Sequence, residues 1–178
     1  AGRVKRVALT LALLSLPAVR AHAQATTPAA PATPATAPAE KSVDSVTATS
    51  PKGFSIRMPG GQGWTPLKNV PNTDVAFLNQ TVNGLRPTVT VIVQDVEPAI
   101  KATLADFRDL YSRQMVKDVP KFKMLGEKTI RVGGQPAILW SYSGDGDGGP
   151  VRWTQLIVLK SNRLYTTTLM LSLIHISE

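Results

Sequence analysis

Cysteine is absent from the 178-residue chain, which rules out thiolate nucleophiles, cysteine-held zinc, iron–sulfur clusters and disulfides. An exported protein that folds without disulfides fits that absence. Histidine is nearly absent. The two that occur, His22 and His175, fall in stretches set apart below as a secretion signal and a foreign tail. With both outside the native domain, a Ser-His-Asp triad, a histidine-held metal and a histidine acid or base are excluded. Aromatic residues make up 6% of the chain, and no basic stripe is interleaved with them, so nucleic acid is not an expected partner.

The two ends stand apart from the middle. Arg3, Lys5 and Arg6 form a positive cluster, followed by the apolar run from Val7 to Val19 and by Ala21-His22-Ala23. A basic segment, an apolar segment and small residues at a cleavage site make a secretory signal. The signal is expected to span residues 1–23, with cleavage between Ala23 and Gln24. The apolar run is shorter than the roughly 20 residues of a spanning helix, so no transmembrane span is expected after cleavage. At the other end, residues 171–178 (Leu-Ser-Leu-Ile-His-Ile-Ser-Glu) resemble the translation of a transposase adapter used in sequencing libraries, and are expected to be non-native.

The formal charge of +8 overstates the basic character of the remainder. Arg3, Lys5, Arg6 and Arg20 lie in the signal, which leaves 16 basic residues against 12 acidic ones. This mild excess favours solubility and does not point to nucleic acid. Residues 24–40 are built almost wholly from Ala, Thr and Pro and read as a semi-stiff, extended linker, because proline breaks helix and strand and little apolar surface is available to bury.

Residues 41–170 carry the patterns of one folded domain. Ser42 to Thr49 is a weak strand. Phe54, Ile56 and Met58 alternate with Ser55 and Arg57 in a clear one, which Pro59 ends. Asp74 to Leu78 and Thr88 to Val93 are strands on either side of Asn83-Gly84, a strong hairpin dipeptide. Thr103 with Asp106 three residues on predicts a capped helix start. Leu104, Phe107, Leu110, Tyr111 and Met115 make its apolar face, and Pro120 follows its end. Strands are expected over 122–127, 128–132, 137–142, 151–159 and 164–170, with turns at Gly133-Gly134 and Ser161-Asn162. Strands, one helix, then strands give an α+β fold: an antiparallel sheet with one main helix packed on a face.

Several stretches resemble the PsbP-like and Mog-like domains: Gly53-Phe54-Ser55-Ile56 with Pro59 and Trp64, Val132-Gly133-Gly134-Gln135-Pro136-Ala137 after the helix, and Leu164-Tyr165-Thr166-Thr167 in the last strand. The resemblance implies a mainly non-enzymatic binding module. It also implies a further C-terminal helix, which is missing here, with the adapter-like residues standing where it should begin.

Gly144-Asp145-Gly146-Asp147-Gly148-Gly149 satisfies the dinucleotide fingerprint in letters only. A strand follows it, so no helix N-terminus awaits a pyrophosphate. Asp145 and Asp147 are weak candidates for a calcium loop, but Leu156 stands where the bidentate Glu of an EF-hand belongs. A solvated hairpin loop between Tyr142 and Val151 is the simpler expectation. The carboxylates Asp95 with Glu97, and Asp106 with Asp109, lack companions that would mark a reaction. Lys117, Lys121, Lys123, Lys128 and Arg131 form a basic region suited to an acidic partner or surface, or to a solvated sheet edge. The expected function is therefore an exported, non-catalytic binding or adaptor module of the bacterial periplasm or envelope, without a cofactor, whose partner is another envelope protein or an acidic surface. The alternatives are a small-molecule or metal-ion carrier with a pocket between sheet and helix, and a hydrolase working through carboxylates.

Overall fold

The computed structural model describes residues 46–58, 63–82 and 84–173. The proposed signal, the linker, Pro59, Asn83, His22 and His175 lie outside them. Two antiparallel sheets and one helix make up the described domain. Strands β1 (Val46–Ser50) and β2 (Phe54–Met58) pair with each other in a two-stranded sheet. Strands β3 (Thr65–Leu67), β4 (Val75–Leu78), β5 (Thr88–Asp95), β6 (Lys123–Val132), β7 (Gln135–Gly146), β8 (Gly149–Lys160) and β9 (Arg163–Ser172) form a seven-stranded sheet in the order β3-β4-β5-β9-β8-β7-β6. Helix α1 (Leu104–Asp118) lies between β5 and β6 in the chain. The fold is α+β, as the order of patterns predicts.

Helix α1 starts where its cap dictates. The Thr103 hydroxyl accepts from the Asp106 backbone N–H, and the Asp106 carboxylate accepts from the Thr103 N–H, so two otherwise orphaned donors are satisfied. Its buried side chains are Phe107, Tyr111 and Met115, four residues apart, which form a narrow stripe. Leu110, expected on that stripe, is 36% exposed. The stripe packs with Val96 and Val119 against Ile138, Trp140 and Tyr142 of β7, Ile157 of β8 and Leu164 of β9. Burial of side chains of this size is worth about 1.5–3 kcal/mol each, so this layer is the main source of stability.

On the opposite face, β1 and β2 cover a different part of the sheet. Ala48, Ile56 and Met58 pack with Trp64 on Phe77, Val75, Val89 and Leu169. Phe54 meets Tyr165 edge to face, and the Lys52 carbonyl accepts from Tyr165 and Arg163 side chains. Lys52 Nζ also pairs with Asp74 at 2.7 Å. The two covers are therefore placed diagonally, with α1 over the β6–β9 half of one face and the β1–β2 hairpin over the β4–β5–β9 part of the other.

Four expectations need correction. Lys123–Val132 is one strand, β6, where two were expected over 122–127 and 128–132; its one irregularity, a bulge at Leu125, falls inside the first of these and keeps the chain on the same partner. No solvated loop spans Tyr142 to Val151. Strands β7 and β8 continue to a pairing of Gly146 with Gly149, and only Asp147 and Gly148 turn the chain. The weak strand near Ser42–Thr49 is β1, and it pairs with β2 rather than joining the main sheet. The last strand runs further than 164–170, with Leu171 opposite Arg152 and Ser172 opposite Val151.

Candidate functional site

Strand β6 is the outer edge of the large sheet, and among the described residues no strand pairs with its other side. The candidate site is built on this edge. Its residues alternate between two faces, as the pleat requires. Glu127 lies on the helix side, opposite Trp140, and Lys128 lies on the other face, opposite Leu139. The helix holds the edge in place. Arg108 donates from Nε to Glu127 Oε1 at 2.8 Å and from Nη2 to Oε2 at 2.7 Å, a two-point contact that fixes both partners. Arg108 holds the Glu127 carboxyl below the usual carboxylate range.

The five basic residues do not form a compact patch. Lys117 ends α1, Lys121 stands in the turn after it at φ +54°, and Lys123 begins β6. Lys128 and Arg131 lie further along the edge. At about 3.3 Å per residue, Lys123 and Arg131 are about 26 Å apart. Two of the five already have partners. Lys121 Nζ meets Asp145 Oδ2 at 2.7 Å, which raises the lysine pKa, and Arg131 Nη1 donates to the Gly134 carbonyl at 2.9 Å. Among the described residues Lys117, Lys123 and Lys128 form no ion pair.

The register adds a residue that sequence reasoning missed. On the face away from the helix, Lys123 is opposite Ser143, which is opposite Arg152. The next rows on that face are Gly126, Ser141 and Thr154, then Lys128, Leu139 and Leu156, then Ile130, Ala137 and Val158. Ser141 and Thr154 hydroxyls are bonded to each other at 2.9 Å. Lys128 thus stands at the edge of an apolar strip of Ile130, Leu139, Leu156 and Val158, and Lys123 and Arg152 lie beyond one end of it, past the Ser141–Thr154 row. Alternation in β8 puts Arg152 on the face of Leu156, but only the pairing of three strands brings it beside Lys123.

The Gly-Asp stretch serves packing. A Cβ at Gly144 would collide with Val119 Cγ1 and lie 2.8 Å from the Pro120 carbonyl oxygen, and one at Gly146 would meet Val151. The Asp145 N–H also donates to the Pro120 carbonyl at 2.9 Å. Glycine at 144 lets the end of α1 cross β7 at close range. Asp145 is held by Lys121, and Asp147 lies exposed in the turn. Among the described residues no group of three or more acidic, histidine or cysteine side chains is gathered to hold a metal ion.

Of the other candidate carboxylates, Asp106, Asp109 and Asp95 are tied into the scaffold. Asp106 completes the helix cap, and the Thr103 backbone and hydroxyl bonds lower its pKa. Asp109 accepts from Arg108, and Asp95 accepts from Arg163 Nε at 3.0 Å. Between helix and sheet the apolar stripe packs on β7, β8 and β9. Trp140 Nε1 donates to Gln155 Oε1 at 2.9 Å, and Gln155 Nε2 donates to Thr168 at 3.2 Å. Tyr111 donates to Gln94 at 3.1 Å, and burial raises its pKa. Among the described residues no helix is long and apolar enough to cross a membrane.

No family model matches the chain, and no curated protein matches it. Solved structures do. The fold is similar to cyanobacterial PsbP (CyanoP) from Synechocystis sp., with a TM-score of 0.55 and 15% identity, covering 79% of this chain and 87% of that one. It is similar as well to the Ran-binding protein Mog1p of Saccharomyces cerevisiae, with a TM-score of 0.51 and 14% identity, covering 74% of this chain and 79% of that one. At these identities the likeness is one of architecture, and it establishes that the domain has the PsbP/Mog-like α+β fold.

Proposed function

We propose that this domain is a non-catalytic binding or adaptor module of the bacterial periplasm or envelope, and that it takes an acidic partner protein at the basic edge of its sheet. The observation that carries the reading is the pair Lys123 and Lys128 on an exposed edge strand, with Arg152 on the same face two strands away and, among the described residues, no acidic side chain in an ion pair with either lysine. Lys117 and Lys121 extend the positive field beyond the strand's start, and Arg131 does so near its end. Such a field speeds encounter with an acidic surface and discriminates against basic ones. Mog1p, of the same fold, is a Ran-binding protein. The shared property under this reading is the binding of a protein and not the identity of the partner. Placement in the envelope rests on the basic and apolar segments of residues 1–23.

A photo-crosslinking residue in place of Thr129, exposed on the same edge strand and next to Lys128 in the chain, tests the reading in the native host. The expected result is one acidic protein crosslinked from position 129 and lost when Lys123→Glu and Lys128→Glu are introduced together. A crosslinking pattern unchanged by the two reversals would overturn it. Fractionation with mass measurement tests the location. A periplasmic or envelope species starting at Gln24 is expected, and a cytoplasmic species retaining residues 1–23 would exclude export.

A further inference from the structure

The edge that carries the lysines is also a hydrogen-bonding ladder with which, among the described residues, no strand pairs on its outer side. We propose that β6 accepts an extended acidic segment of another protein as an added strand, along Gly126–Val132. This inference rests on the acidic-partner reading above and specifies how the partner is held.

Three features of the strand support it. First, β6 closes the sheet on one side, and all of its residues except Met124 and Ile130 are exposed. An edge strand offers its outward N–H and C=O groups to any extended chain that reaches them. Second, the bulge at Leu125 interrupts the strand once, and from Gly126 opposite Ser141 to Val132 opposite Gln135 the register is unbroken. This leaves seven residues of regular edge, enough for a short added strand. Third, Glu127 at the start of that stretch is bound to Arg108 on the helix, so the edge is pinned to the core.

The side chains define the visitor. Lys128, Ile130 and Val132 point to one face, and Glu127, Thr129 and Arg131 to the other. Cross-strand neighbours interact directly, so the added strand is complementary with an acid opposite Lys128, an acid opposite Arg131 and apolar residues opposite Ile130 and Val132. A second copy of this chain fits poorly. It would bring a second set of these cations to the first, while the one carboxylate on the edge is already held by Arg108. The linker of residues 24–40 fits poorly too, because it has one carboxylate, Glu40, and four prolines that cannot donate to a ladder.

The test uses the full chain and a capped, fluorescent heptapeptide, Val-Glu-Val-Thr-Glu-Thr-Thr, written to lie antiparallel from Val132 to Gly126. Fluorescence anisotropy should show binding that weakens about tenfold in Lys128→Glu, since one favourable cross-strand pair becomes a repulsive one. The same peptide with both Glu replaced by Lys should not bind. Two peptides N-methylated at alternate amides, one set for each edge, separate backbone pairing from charge. At least one should lose binding with its charges intact. If both N-methylated peptides bind as well as the parent, strand addition is overturned and the acidic-partner reading survives. If the parent fails to bind while the position-129 crosslink persists, strand addition again falls alone. If the peptide and the crosslink both fail, both ideas fall.

Discussion

Arg108 on the helix and Glu127 on the edge strand meet through two parallel hydrogen bonds, at 2.8 and 2.7 Å, across a gap of 19 residues in sequence. Paired fork to fork, they fasten α1 to the strand furthest from the sheet's centre. Both side chains are partly exposed, at 39% and 30%, so solvent screens the pair and its worth is about 0.5–1 kcal/mol.

The pair makes stability depend on acid. Arg108 lowers the Glu127 pKa below its ordinary 4.5. A depressed carboxyl stabilises the fold above its unfolded pKa, and that contribution is lost as pH falls from about 4.5 through the lower folded value. Denaturant unfolding across that range should show a slope that is reduced in Glu127→Gln. An unchanged slope would mean the pair contributes nothing.

Gly144→Ala should cost about 3 kcal/mol or more, because the new methyl would collide with Val119 and the Pro120 backbone where the end of α1 crosses β7. The backbone there does not need glycine's positive φ, so the cost is one of space. Val119→Ala in the same chain should recover part of it. Urea denaturation of the two single variants and the double variant measures both.

Thr103→Ala removes the hydroxyl that caps α1 and should destabilise the domain by about 1 kcal/mol. Thr103→Ser keeps the oxygen and should restore most of the loss. Thermal melts followed by far-ultraviolet circular dichroism compare the three proteins, and equal melting of the Ala and Ser variants would contradict the cap.

Tyr165→Phe deletes the bond to the Lys52 carbonyl at 3.1 Å and keeps the ring against Phe54. The expected effect is about 1 kcal/mol, felt where the β1–β2 hairpin rests on the sheet. Limited proteolysis should cut near Pro51–Gly53 faster in the variant, while cleavage elsewhere is unchanged.

The elements most legible in the sequence are those set by local chemistry. The Thr103–Asp106 cap, the two-residue turn at Gly133-Gly134 with φ of +55° and +79°, and the turn at Ser161-Asn162 all act over a few residues. A strand is legible over 137–142, but not its full run from Gln135 to Gly146. Glycine and aspartate read as a loop, whereas here the glycines make room for Val119 and Val151. Arg152 was missed as a neighbour of Lys123 because two strand pairings stand between them. The basic residues were legible as a group, but their spread along an edge depends on β6 being one bulged strand. Leu110 follows the helical period but stays 36% exposed, since period alone does not say how wide the facing surface is.

The position of β9 has a kinetic consequence. Strands β6 to β9 form a meander whose neighbours follow one another in the chain, and short loops close quickly. Strand β5 waits for β9: Asp95 pairs with Arg163 and Thr88 with Met170, so the helix and three strands must be in place before that seam can zip. Long-range pairing of this kind is slow, and it leaves the first half of the domain without its template until the last strand exists. A chain emerging N-terminus first would hold β5 without this pairing until β9 has been made. Refolding rates should accordingly fall for substitutions in the β6–β8 meander, while those in the β1–β2 hairpin should mainly speed unfolding.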